Sequence, residues 1–388
     1  MGKQAPGANR EINLMHTMQQ PIRILMLFTI LNRGGAETMV MNYYRKIDRT
    51  KVQFDFVVHR PERGAYEDEI EALGGRIYRM MPLHPLTFGK YQQQIADFLD
   101  EHPEYSIIHG HSSELGYFFF KEAAKRNIPC ILAHAHSSKA LLDSKWPIRM
   151  YFKHALRKYV THGVTCSHQA AEWLLGKHWK KPLLLQKNAI DTERFQYQAA
   201  LRKQHREALG LAEEQLVIGH VGSLTEIKNH GFLIGVFHRV HQVYPHARLV
   251  LVGQGWLEEK LRHQVAALGL DEAVIFLGER NDVHEVLNVM DVFVLPSIGE
   301  GFSMATLEAQ CNGLPCLVSD VLPEEVRITS LVSSLSLGDS AEKWAQRIGE
   351  LYQGARDIDR AGYAQYIQQA GYDIQENAQW LQETYLNF

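Results

Sequence analysis

The sequence predicts an α/β protein made of two doubly wound parallel sheets that face each other across a cleft. Three observations carry this expectation. Short apolar, β-branched runs alternate with helical stretches, the pattern of parallel sheets covered on both faces. The alternation runs twice, over 21–186 and again over 187–370, with a polar break around Lys187-Asn188-Ala189-Ile190-Asp191. The length of 388 residues exceeds what a single core usually serves.

Composition removes several function classes. A hydrophobic content of 45%, a charged content of 22% and a formal charge of -3 describe an ordinary folded protein, not a disordered or nucleic-acid-coating chain. Residues 1–20 are polar and lack an apolar h-region, so they read as a disordered leader or tag. No later run reaches the roughly 18 apolar residues of a spanning helix, so any membrane contact is expected to be peripheral. Cys130, Cys166, Cys311 and Cys316 have no zinc spacing and read as reduced, buried thiols of a cytosolic chain.

In the first unit, Ile22 to Phe28 is apolar apart from Arg23, as a central strand should be. Asn32-Arg33-Gly34-Gly35-Ala36-Glu37 then turns into a helix, and its two glycines either expose backbone N–H groups to an anion or merely turn the chain. Strands follow at 53–58, 76–80, 106–109, 129–133 and 163–166, separated by helical stretches such as 66–73 and 91–101. Ligands of such sheets gather at the carboxyl ends of strands. Two of these ends carry His109 and His111, and His134 and His136. An imidazole there serves a sugar hydroxyl, a phosphate or the fold itself. H-x-H also suggests metal, but no third ligand stands at convincing spacing, and no metal is expected. The stretch Lys139–His162 interleaves cations with aromatic residues, and its spacing of Ile148, Phe152 and Leu156 predicts a packed helix face. Its cations face either solvent or anionic lipid.

The second unit repeats the alternation, with strands at 216–221, 248–252, 273–277, 291–295 and 315–319. The first of these leads into Gly222-Ser223-Leu224-Thr225-Glu226-Ile227-Lys228, where a lysine beside a glycine turn suits a leaving group that gains negative charge. Gly253-Gln254-Gly255 begins like a dinucleotide fingerprint, but Glu258 occupies the third glycine position, which argues against a nicotinamide cofactor. The strand at 291–295 ends in Pro296-Ser297-Ile298-Gly299-Glu300-Gly301-Phe302-Ser303-Met304, where a Pro/Gly turn precedes a helix starting near Phe302 or Ser303. A helix start presents free N–H groups and the positive end of the macrodipole to a diphosphate. Glu300 and Glu308 bracket it and suit vicinal hydroxyls, so the arrangement describes a nucleotide sugar. The plainer alternative is that Glu300 caps the helix and Glu308 is solvated.

The pattern P-S-x-x-E-G-F-x-x-x-x-L-E-A, with seven residues between Glu300 and Glu308, resembles the signature of the retaining family 4 glycosyltransferases of the GT-B fold. The resemblance covers roughly residues 21–319. It implies two Rossmann-like domains, 21–186 for the acceptor and 187–370 for the nucleotide sugar, with a helix at 371–388 crossing back to the first. Gly34, Gly35 and Glu37 match a G-G-x-E loop facing the donor diphosphate. His136 maps to a histidine near the donor sugar, with His134 as the alternative. Lys228 matches the lysine of G-R-x-x-x-x-K after Gly222, whereas Ser223 replaces its arginine, a loss for which Arg33 or Arg280 could substitute. Lys187 and Ala189 replace the Pro and Gly of a P-N-G-I-D element.

The implied catalytic set is Glu300, Lys228 and His136. Arg280 lies by the base, Gly301, Phe302, Ser303 and Met304 by the diphosphate, and Glu308 by the ribose. The implied reaction is front-face transfer from a nucleoside diphosphate sugar, a UDP-sugar by preference, to a hydroxyl of a saccharide or lipid-linked acceptor. It needs no metal or cofactor and belongs to capsule or exopolysaccharide assembly at the inner face of the membrane. The alternatives are a sugar-nucleotide epimerase of the same fold and, given Ser223, a weakly active sugar-nucleotide-binding partner.

Overall fold

The computed structural model describes residues 20–111, 116–136, 146–355 and 358–388. The leader up to residue 19 and the beginning of the basic stretch, 139–145, lie outside the described residues.

The first sheet contains β1 (Ile22–Leu27), β2 (Val52–Val58), β3 (Ile77–Arg79), β4 (Ile107–Gly110), β5 (Cys130–Ala135), β6 (His162–Thr165) and β7 (Leu183–Leu185), in the order β3-β2-β1-β4-β5-β6-β7. The second contains β8 (Val217–Val221), β9 (Arg248–Val252), β10 (Val274–Phe276), β11 (Val292–Leu295), β12 (Cys316–Ser319) and β13 (Val332–Leu335), in the order β10-β9-β8-β11-β12-β13. Neighbouring strands pair in parallel throughout both sheets. In each sheet the strand order reverses beside the first strand of the unit. That leaves a crevice at the β1/β4 ends and another at the β8/β11 ends, the places where doubly wound sheets bind ligands.

Period-two alternation explains why these runs are strands buried on both faces. Ile24 and Met26 enter one core cluster while Leu25 and Leu27 enter the cluster on the opposite face. Phe293 and Leu295 divide from Val292 and Val294 in the same way. Burying each such side chain contributes about 1.5–3 kcal/mol. The polar exception in β1, Arg23, is held by the buried Asp55 of β2 through two guanidinium hydrogen bonds of 2.5 Å, with Tyr105 donating to the same carboxylate at 2.8 Å. All four cysteines are buried free thiols.

The chain returns to the first unit at its C-terminal end. Ile190 and Asp373 form a parallel bridge, and Asp373 caps the helix Ile374–Leu386 by accepting from Gln375 N at 2.8 Å. Ala189, in the position expected to resist a positive φ, is not among the residues that adopt one. Ile374, Ala378, Leu381 and Tyr385 lie on one helical stripe and pack into the core beside β1 and β2. Trp380 and Leu386, apolar residues of the same helix, lie outside that stripe and are exposed.

The helix Trp146–Leu156 departs from expectation in two places. Phe152 and Leu156 are buried, but Ile148 is 38% exposed. Lys153, expected in solvent or at lipid, is buried with its ammonium 4.1 Å from the centre of the Trp173 ring. A cation over an indole face keeps an electrostatic partner while its stem is desolvated, which explains a lysine inside a packed helix face.

Candidate active site

The stretch Pro296–Gly301 leaves β11 at the second sheet's crevice and runs into the helix Met304–Cys311. Ser303 is its N-cap and accepts from Thr306 N at 3.2 Å. Phe302 and Met304 are buried against the core, which fixes the angle at which the helix enters. Glu300 accepts from Ser297 Oγ at 2.9 Å and pairs with Lys228 Nζ at 2.5 Å. The two groups expected to serve donor sugar and phosphate separately are therefore in direct contact, from segments 72 residues apart. A cation held between a carboxylate and a helix start is positioned before any phosphate arrives.

Gly222 stands at the end of β8, where a Cβ would lie 3.1 Å from Cε of Lys228 and press on that side chain. Gly253, at the end of β9, has φ +136°, and a Cβ on it would come within 2.1 Å of Gly222 O. Ser223 is exposed on this turn. Arg280 is forked onto Asp282, and Arg33 reaches from the first unit to Glu279 of the second at 3.3 Å. Both arginines proposed as substitutes for the missing one are therefore paired with carboxylates.

Glu308 is not solvated. Seven of the eight residues of its helix are buried, Glu308 among them, and no described side chain hydrogen-bonds its carboxylate. Burial pushes its pKa up to about 7, against a smaller opposing effect from Arg194. On the other side, Gly34 caps the helix Gly35–Lys46. The Glu37 carboxylate folds back so closely over Gly34 that a Cβ there would be 2.3 Å from Oε2. Burial raises Glu37 to about 7 as well. Two acids whose desolvation outweighs any nearby cation are suited to ligand hydroxyls or a proton.

The strand-end histidines form one cluster. His134 is fully buried with Nδ1 3.2 Å from His109 Nε2, whereas His136 is half-buried with Nε2 2.9 Å from His111 Nδ1. Of the two candidates near the donor sugar, His136 is therefore the one at the edge. Burial holds His109 and His136 down to about 3, so all act as neutral imidazoles at neutral pH. Sequence spacing offers no convincing third metal ligand, but the fold brings ligand nitrogens of His109, His111 and His134 within 4.8 Å of one another. The residues are neighbours only because β4 and β5 pair, with Gly110 opposite Ala133.

Sequence reasoning overlooked four partners in this region: Ser297, Arg194, Glu279 and Tyr385. Ser297 was legible, standing three residues before Glu300; the others are joined to the site only by the fold.

Comparison with known proteins agrees with this fold. Residues 33–194 match the model of Glycosyltransferase Family 4, and residues 215–354 match that of Glycosyl transferases group 1. EpsF of Bacillus subtilis (strain 168), described as a glycosyltransferase, is 33% identical over 372 residues, 94% of this chain and 96% of its own. The chain belongs to the family 4 glycosyltransferases of the GT-B fold. It is also 28% identical over 226 residues, 56% of this chain and 58% of the other, to the UDP-Gal:alpha-D-GlcNAc-diphosphoundecaprenol alpha-1,3-galactosyltransferase of Escherichia coli. Alr3699/HepE of Anabaena, solved in complex with UDP and glucose, superposes with a TM-score of 0.79 at 19% identity, covering 95% of this chain and all of that one. The enzyme is thus a glycosyltransferase that takes its sugar from a nucleotide donor.

Proposed function

We propose that this enzyme moves a sugar from a UDP-sugar, with retention of anomeric configuration, to a hydroxyl of a saccharide or lipid-linked acceptor during exopolysaccharide assembly. The buried, unpartnered carboxylate of Glu308 carries the reading: it sits in the helix that opens at Ser303, where it would accept the ribose diol while the preceding amides take the diphosphate. Lys228 balances charge on the departing phosphate, so the step needs no metal there. Glu300 holds the donor-sugar hydroxyls, and its contact with Lys228 keeps it oriented. The acceptor hydroxyl attacks from the side the diphosphate leaves, and its proton goes to the leaving phosphate oxygen. His136 donates to the sugar from the edge of the histidine cluster.

The preference for UDP and for a polyprenol-linked acceptor is supported by one relative, the galactosyltransferase that uses UDP-Gal and a diphosphoundecaprenol acceptor. A site at the inner membrane face suits the helix Trp146–Leu156, which exposes Trp146 and Tyr151. A thermal-shift screen of UDP- and GDP-sugars, followed by calorimetry and anomeric NMR of the product, tests the proposal. Stabilisation by UDP-sugars and an α-linkage from an α-donor are expected. Stabilisation by GDP-sugars alone, or an inverted linkage, would overturn it. Glu300→Ala is expected to slow transfer as well as weaken donor binding, whereas Glu308→Ala mainly weakens binding.

A further inference from the structure

We propose that His109, His111 and His134 form a binding site for one zinc ion at the carboxyl ends of β4 and β5, separate from the diphosphate site. Residues 109 and 111 share one face of their strand, as do 134 and 136, so strand pairing alone collects four rings. Ring centroids lie 4.3 Å apart for His109 and His111, 5.1 Å for His111 and His134, and 5.2 Å for His109 and His134.

Two nitrogens in this cluster, His111 Nε2 and His134 Nε2, are buried with no hydrogen-bond partner among the described residues. An orphaned buried imidazole nitrogen is costly, and two aimed into one cluster call for a bound group that accepts both lone pairs. The other nitrogens are engaged. His109 Nδ1 meets Tyr385 Oη at 2.6 Å, His111 Nδ1 meets His136 Nε2 at 2.9 Å, and His109 Nε2 meets His134 Nδ1 at 3.2 Å, a contact that an ion on His109 Nε2 would replace. Such outer partners fix tautomer and ring orientation in histidine metal sites. Zinc–nitrogen bonds of about 2.0–2.1 Å require the three nitrogens to draw together by roughly an ångström, within reach of ring rotation.

The donor set selects the ion. Three imidazoles without a carboxylate suit zinc or its transition-metal neighbours and offer nothing to magnesium or calcium. Three protein ligands also leave a fourth position open, as catalytic zinc sites do. An ion on His111 Nε2 would leave its Nδ1–H donating to His136 Nε2. His136 would then carry its own proton on Nδ1, which sets which hydrogen-bonding role this edge residue presents.

The test reads metal without donor or acceptor present, so its failure leaves the glycosyl transfer reading intact. Chelator-stripped full-length protein is titrated with zinc against a chromogenic competitor, and bound metal is counted by mass spectrometry. One equivalent per chain is expected. His111→Gln and His134→Gln are expected to lower affinity at least 100-fold and Tyr385→Phe about tenfold. His263→Gln, at an 80% exposed position in the second unit, serves as the control and leaves affinity unchanged. Equal affinity in the wild type and both histidine variants would overturn the site. If the variants fail to fold, an anomalous difference map of zinc-soaked wild-type crystals decides: a peak among the three rings supports the site, and a peak elsewhere or none refutes it.

Discussion

Replacing Glu308 by glutamine should move stability and function in opposite directions. Burial raises the Glu308 pKa from its ordinary 4.5 to about 7, so the native state holds the proton more tightly than the unfolded chain does. Stability therefore falls as pH rises from 4.5 to 7, and the native state stays penalised above that range. The rise in pKa corresponds to roughly 3 kcal/mol, an upper bound on what removing the charge returns. At pH 8 the ligand-free Glu308→Gln protein should thus unfold at higher urea than wild type, with the difference vanishing near pH 4.5. Its UDP affinity should meanwhile drop roughly 10- to 150-fold, from losing charge-assisted hydrogen bonds worth about 1.5–3 kcal/mol. Urea denaturation at the two pH values and calorimetry with UDP measure both. A variant less stable than wild type at pH 8, or one with undiminished UDP affinity, would refute the assignment of Glu308 as a desolvated ribose acceptor.

Ser223→Arg should restore a bidentate phosphate donor beside Lys228 and raise donor affinity about tenfold or more, measured by UDP-sugar calorimetry. No gain would mean that the paired Arg33 or Arg280 already fills the role. Gly253→Ala places a Cβ within 2.1 Å of Gly222 O at φ +136°, so it should cost at least about 1–3 kcal/mol in urea unfolding. Trp344→Ala empties a fully buried site against the helix His230–Val243 and should cost about 3–5 kcal/mol, seen as a lower Tm. His230 is held down to about 4, chiefly by burial and then by Lys228, so it favours the unfolded state progressively as pH falls from 6.5 towards 4. In His230→Gln the loss of Tm over that interval should be smaller than in wild type.

Much of the architecture is legible in the sequence because central parallel strands are apolar on both faces. The strands at 22–27, 248–252 and 292–295 need no tertiary knowledge. Edge strands do. Leu183–Leu185 and Val332–Leu335 are exposed or half-buried along their length, so neither carries a continuous buried pattern. The helix start after Gly301 could be read from its turn and cap residues, yet the burial of Glu308 could not. That helix is enclosed on nearly every side and shows no polar face to mark its orientation. Contacts between distant segments were equally hidden. The Lys228–Glu300 pair and the histidine cluster exist only because parallel strands end at the same level.

The hydrogen bond from His109 to Tyr385 spans 276 residues of sequence. At roughly 5–20 residues per second of synthesis, that separation is about 15–55 s on the ribosome. During this interval β1 and β2 lack the helix that covers them, and Phe54 lacks the Tyr385 ring that meets it edge-on at 5.9 Å. The half translated first is thus the half completed last, and a chaperone holding the nascent chain would have apolar surface to grip there until Leu381 and Tyr385 emerge.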